Sequence, residues 1–310
     1  MNVAQKEIKK KKKVQIGKGL FILALIIVPL AHFFVFYVYV NFYSFVMAFQ
    51  TRVGGRTVWT LDNFKLLFQD FSNPLAKGRE SIVNTLYFFV MGMFTGLFTS
   101  FIISYFLYKK ILLANTFRVI LFLPSLLSPI VVVQLFSSIV GPLGPIAQLI
   151  QKIQGLDQTP ELLADSRYAL NTLMSYSFWF GIAGNMILLM GALNRIPKDV
   201  LEYAKLDGVS WIRELFQIIM PLIWPTMTTL VTVAFTNILS ASGPIFLFTQ
   251  GAYGTYTISY WLWTKVYQMP VNSIALNYGS AIGLFFSLVT LPIVFLVRFV
   301  MNKLQEAVEY

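Results

Sequence analysis

The chain has no cysteine. That excludes a disulfide framework, a thiol nucleophile and thiolate metal ligands. It has one histidine, His32, set inside a long apolar run, so neither a two-histidine zinc site nor a Ser–His pair can be assembled. His32 is expected to be a packed or interfacial residue. No G-x4-G-K-[ST] phosphate loop occurs, and the chain is not expected to bind ATP itself. Charge is scarce as well: 12% of the 310 residues are charged, and only 13 are acidic. Apolar surface takes its place, with 57% hydrophobic residues, 16% aromatics and a mean hydropathy of +0.69. A soluble domain would not carry so much with so little charge, so the sequence points to a membrane protein. Its formal charge of +11 then fits positively biased loops better than nucleic-acid binding.

A helix that crosses a bilayer needs about 20 apolar residues. Six runs qualify, over about 20–47, 82–108, 117–140, 170–193, 216–240 and 278–300. Pro124 and Pro129 interrupt the third and predict a kink. No Asp or Glu falls inside any of the six. Ion-coupled transporters usually place ionisable groups there, so coupling to an ion gradient is the less expected mechanism. The expected architecture is all-α and polytopic. A basic cytoplasmic tail at 1–19 carries Lys6, Lys9 to Lys13 and Lys18, and a transmembrane domain follows over 20–310. The tail reads as solvated or resting on anionic headgroups. With the N-terminus inside, sixteen of the 24 Lys and Arg residues fall on the inner side, which predicts both termini in the cytoplasm.

Between the fourth and fifth runs lies a polar island, Arg195 to Pro225, that holds Asp199, Glu202, Lys205, Asp207, Arg213 and Glu214. Pro197 suits a first helical position and Asp199 the helix N-terminus. Gly208 suits a left-handed stop, and Ser210 can cap a second helix. Two short helices joined at Gly208 are therefore expected. From Glu202 the island runs Glu-Tyr-Ala, three residues, Gly208, nine residues, Ile218, one residue, Met220-Pro221. This resembles E-A-A-x3-G-x9-I-x-L-P, the EAA motif of the membrane subunits of binding-protein-dependent ABC importers, with Tyr203 for the central Ala and Met220 for Leu. Further fragments resemble the sugar branch of that family, the maltose-transporter-like permeases. They are LDNF at 61–64, NTLYF at 84–88, FRVILFLPSLLSP at 117–129, FTQGAYGTYT at 248–257 and NYGSAIGL at 277–284. The family's T-x-G-G-P turn stands here as Thr249-Gln250-Gly251-Ala252-Tyr253.

The resemblance implies a type I importer permease fold. It also implies a second homologous permease, two cytoplasmic ATPase subunits that hold ATP and magnesium, and an extracytoplasmic solute-binding protein. The chain itself would need no cofactor. It would sit in the bacterial inner membrane, with loop 195–215 engaging the ATPase through Glu202, Tyr203, Ala204, Asp207 and Gly208. Glu202 is placed to pair with Lys198 or Lys205, or with a basic group on the ATPase.

Polar residues in the spans are Asn, Ser, Thr and Tyr, which suits neutral hydroxylated solutes. Asn185, Asn237, Ser240 and Ser242 are the candidate substrate path, although such residues also hydrogen-bond between helices. Asn237 and Ser240 are one helical turn apart and share a face. The outer segments at 51–81, 141–167 and 246–277 are too long to be turns. In the first, Phe64, Leu67 and Phe68 predict a short helix lying on the membrane surface. Uptake of a carbohydrate by alternating access is the expected function. An ion-coupled transporter, an importer for a non-sugar solute and a membrane-embedded enzyme are the alternatives. The last lacks convergent reactive residues.

Overall fold

The computed structural model of this chain describes residues 18–19, 21–240, 244–268 and 273–304. The lysine run of the tail and the candidate Ser242 lie outside the described residues. Five helices are long and apolar enough to cross a membrane: Phe21–Ala48, Gly78–Tyr108, Pro129–Gln154, Ala169–Leu193 and Ile274–Leu304. A bent pair, Trp211–Leu222 and Trp224–Thr236, is long and apolar enough for a sixth crossing only when its two helices are taken together. We number these crossings spans 1, 2, 3, 4 and 6, with Trp224–Thr236 as span 5.

Two of the expected spans are corrected. The third is not one kinked helix but two, Ala114–Leu126 and Pro129–Val140, the second leading on into Pro145–Gln154. Pro129 disfavours helical geometry at the residue before it, and both Leu127 (ψ 156°) and Ser128 (ψ 134°) are extended. Pro129 then opens the next helix, where its missing N–H costs nothing. The fifth begins at Trp224 instead of near 216. Residues 216–222 belong to the second island helix, which meets the span at 79°.

Span 1 exposes nearly its whole surface, His32 included, and buries only Ala48; its last turns pack on the final helix. Spans 2 and 4 form the centre. Gly96, Ser100 and Ser104 recur at four-residue spacing on span 2 and are buried. The Ser100 hydroxyl donates to Gly96 O at 2.7 Å and reaches Ile182 O of span 4 at 3.4 Å. Small side chains let helices approach closely where no hydrophobic driving force separates protein from lipid. The largest core cluster joins Phe101 and Tyr105 of span 2, Leu189 and Leu193 of span 4, and Leu215 and Ile219 of the island.

At the other end of span 2 the chain builds a cap, and it contains the only strands among the described residues. Strand β1 (Gln50–Val53) pairs antiparallel with β2 (Arg56–Trp59) across Gly54-Gly55. Both glycines have positive φ, 59° and 78°, as a two-residue hairpin turn requires. The helix Asp62–Ser72 packs one face into the protein and leaves Leu66 and Phe68 exposed, at 44% and 55%. Leu67 is fully buried in a cluster with Trp261, Tyr278 and Ile282, and Phe68 meets the Phe285 ring edge-on at 5.6 Å.

The cap explains why several quoted fragments occur together. Asn63 of LDNF is buried and donates to Ala48 O and Gln50 O, both at 2.9 Å. Asn84 of NTLYF donates to Gly254 O and Tyr256 O at 2.8 Å, and Thr85 accepts from the Ile258 amide at 2.8 Å. The 249–257 turn is thus pinned to the top of span 2. Its Gly251, at φ +74°, has no room for a Cβ: one would lie 2.6 Å from the Tyr260 ring.

Candidate functional site

Span 2 is one continuous helix of 31 residues, about 46 Å long at the helical rise. The cap holds its first turn, the island its last, and a groove opens between them. The groove has a volume of about 510 Å³, and its wall includes Phe88, Gly92 and Gly96 of span 2 with Tyr176, Phe180 and Asn185 of span 4. A smaller lobe of about 230 Å³ adds Asn237 and shares Phe88, Gly92, Asn185 and Ser240 with the first. Asn185, Asn237 and Ser240, separate in sequence, are therefore brought to one cavity. The Asn185 and Asn237 carboxamides make no side-chain hydrogen bond among the described residues. Among the described residues, no Asp, Glu, Lys, Arg or His lines either lobe. Such a surface can offer hydrogen bonds and ring faces to an uncharged solute, but no ion pair.

The shared face of Asn237 and Ser240 is not that of a regular helix. Span 5 ends at Thr236, Asn237 terminates it at φ −92°, and Ile238–Ser240 is a 3₁₀ turn. Asn237 and Ser240 still meet, because the 3₁₀ turn also places residues three apart on one side. Aromatic residues missed in the sequence border the groove. Tyr176 stacks on Phe180 at 5.8 Å and stands edge-on to Phe136 and Phe248. Their signal was present only as an aromatic-rich span 4, which is equally what a lipid-facing helix shows.

The island folds as two short helices, Lys198–Leu206 and Trp211–Leu222. Pro197 is the residue before the first helix rather than its first, with ψ 134°. Gly208 has φ +68°, and the stop is sealed by Val209 N–H to Ala204 O at 3.1 Å and Gly208 N–H to Lys205 O at 3.2 Å. That bond pair is the Schellman pattern that a left-handed glycine permits. Ser210 stands at the next N-cap, but its hydroxyl makes no capping bond.

Of the five coupling candidates, Glu202, Tyr203, Asp207 and Gly208 are exposed. Ala204 alone turns inward, 5% exposed. Glu202 forms no ion pair among the described residues, so the expected bracing to Lys198 or Lys205 is not made. Beside it stand Tyr203, Leu206, Trp211 and Ile212, all large, apolar and at least half exposed or nearly so. Exposed apolar side chains of this size on a polar loop are of the kind found at protein or membrane contacts. Of these, the sequence singled out Tyr203 and passed over Leu206, Trp211 and Ile212.

The family model "Binding-protein-dependent transport system inner membrane component" matches residues 82–310. "Probable ABC transporter permease protein YurN" of Bacillus subtilis is 27% identical over 277 residues, spanning 87% of this chain and 92% of that one. The arabinooligosaccharides transport system permease protein AraP of the same organism is 24% identical, spanning 84% and 82%. A solved bacterial ABC transporter involved in the import of the acidic polysaccharide alginate has the same fold. Its chain aligns with a TM-score of 0.78 at 20% identity, covering 94% of this chain and 99% of that one. With a match that takes in the island, the groove and every span after the first, the chain belongs to the family of binding-protein-dependent transport system inner membrane components.

Proposed function

We propose that this chain is one of two permease subunits in an ATP-driven importer for a neutral carbohydrate, working by alternating access. The observation that carries the proposal is an uncharged, aromatic-bordered groove midway along the bundle, joined by one helix to an exposed island at its end. The charge bias supports a cytoplasmic island and N-terminus, with the cap outside. In this arrangement a binding protein delivers solute at the cap. Two ATPase subunits hold ATP and magnesium and grip the island through Tyr203, Leu206, Trp211 and Ile212 together with Glu202. Among relatives, the import of arabinooligosaccharides by one and of alginate by another supports the carbohydrate class. That no cation lines the groove among the described residues favours a neutral sugar over an acidic one.

Two outcomes are expected. Uptake of a labelled oligosaccharide in vesicles should require ATP and the binding protein, and should continue when the proton gradient is collapsed with ATP maintained. Uptake driven by an imposed ion gradient without ATP would overturn the proposal. Replacing both Asn237 and Ser240 with alanine should weaken transport while leaving assembly intact. Each hydrogen bond to a neutral ligand contributes about 0.5–1.5 kcal/mol net, so the loss should be roughly tenfold rather than complete. Unchanged kinetics in the double variant would remove these residues from the path.

A further inference from the structure

Glu214 is the one acidic residue buried among the described residues, and the function proposed above does not use it. Its carboxylate lies 2.6 Å from the ammonium of Lys109, with side-chain exposures of 7% and 33%. Lys109 follows the last turn of span 2, where the free carbonyls of a helix end favour a cation. The ammonium also sits 5.8 Å from the Tyr105 ring. Leu215 and Ile219, on the same island helix, are fully buried against Phe101 and Tyr105 of span 2. The pair is therefore a charged bolt within an apolar joint between the second island helix and the end of span 2.

Span 2 carries a movement of that joint further. The helix is continuous to Gly78, and its stretch Gly92–Leu97 is π-helical. The two glycines of this stretch, Gly92 and Gly96, have no neighbour within 4 Å of where a Cβ would be. A widened turn with two such positions is where a helix shifts register or bends at least cost. The same turn is a wall of the groove, about 18–26 Å along the axis from Lys109.

We infer that Lys109–Glu214 is a positioning pair that passes island movement into span 2, where the π-helical turn converts it into a displacement of the groove wall. The inference rests on the function proposed above. Glu214 touches no solute; it acts through Lys109. The charge matters because an apolar contact alone lets the two helices slide, whereas a carboxylate buried against its one counter-charge resists separation from it.

The absence of cysteine makes a single reporter simple. Met93→Cys places a thiol on the groove-lining turn. Its modification by N-ethylmaleimide is timed in complexes purified with their ATPase, before and after trapping with MgATP and vanadate. With the native pair, trapping should change the rate by at least about fivefold, the lower end of ordinary coupling between sites. In Glu214→Gln the change should fall within about twofold while the ATPase still co-purifies at the native ratio. The charge exchange Lys109→Glu with Glu214→Lys should recover at least about half of the response. A full response in Glu214→Gln overturns the inference. So does loss of the ATPase from that variant, which would make the pair a docking support, and so does a folded exchange variant that recovers nothing. No response to trapping with the native pair would instead overturn the ATP-driven function, and the inference with it.

Discussion

Gly208→Val should leave the protein in the membrane and reduce transport to less than about a tenth. The reason is backbone conformation, not crowding. Gly208 holds φ +68°, and a Cβ there would meet nothing within 4 Å. A left-handed residue costs about 1–2 kcal/mol for an ordinary side chain, and a β-branched one is a true outlier there. About 1.4 kcal/mol is a factor of ten in an equilibrium, so the variant should abandon the turn. The bonds from Val209 and Gly208 to Ala204 and Lys205 then break, and the angle between the island helices is lost. Tyr203 and Leu206 stand on one helix, Trp211 and Ile212 on the other, so a surface assembled from both cannot survive that change.

Glu202→Ala separates the partner's contribution from the fold's. Its side chain is exposed and braces nothing among the described residues, so the island should fold unchanged. If the ATPase buries Glu202 against a cation, truncation should cost about 2–5 kcal/mol of binding. Lys198→Ala, exposed on the same helix, is the control and should behave as wild type. ATPase co-purification and transport at matched membrane abundance decide the matter. Near-normal values for both Gly208→Val and Glu202→Ala would show that the island is not the coupling element.

Asp70→Ala should be the most destabilising single change in the cap. Asp70 Oδ2 accepts from Lys265 Nζ at 2.6 Å and from the Tyr278 hydroxyl at 2.7 Å. These groups join the cap helix, the 264–268 segment and span 6. The ion pair is largely out of water, with side-chain exposures of 16% and 21%. Removing the carboxylate leaves the ammonium buried between the Trp261 and Tyr278 rings with no counter-charge. Breaking one side of a buried pair costs about 3–5 kcal/mol. Replacing both partners costs far less, so adding Lys265→Met to Asp70→Ala should restore much of the loss. Melting of the purified protein in detergent tests the order wild type, double variant, Asp70→Ala. An Asp70→Ala protein as stable as wild type would reduce the cluster to a surface contact.

What was legible in the sequence followed local rules. Long apolar runs far from carboxylates locate spans to within a few residues because the bilayer imposes a length. Pro197, Gly208 and Ser210 locate the island's helix boundaries because each acts through its own backbone geometry. The hairpin was not read in the sequence: its signal, Gly54-Gly55 between two β-prone stretches, is short beside a chain of helices. Prolines gave the place of the break at Ser128 without its size. Pro129 restricts its neighbour, and only the surrounding packing decides whether the chain bends or starts afresh.

The sequence alone therefore determined the class of protein, four of the six spans and the position and form of the island. Each rests on residues close together in the chain, or on composition. The tertiary structure alone decided the pairings across distance: Asp70 with Lys265, Asn84 with the 254–256 carbonyls, Lys109 with Glu214, and Asn185 with Asn237 and Ser240 around one groove. None has a sequence period, since each depends on which faces of separate helices meet. In the island the sequence marked Glu202, Tyr203, Ala204, Asp207 and Gly208, whereas the fold also left Leu206, Trp211 and Ile212 uncovered and buried Glu214. Burial belongs to a packed arrangement and not to a residue type, and for that reason only the folded chain shows which carboxylate is held inside and which apolar side chains stay uncovered.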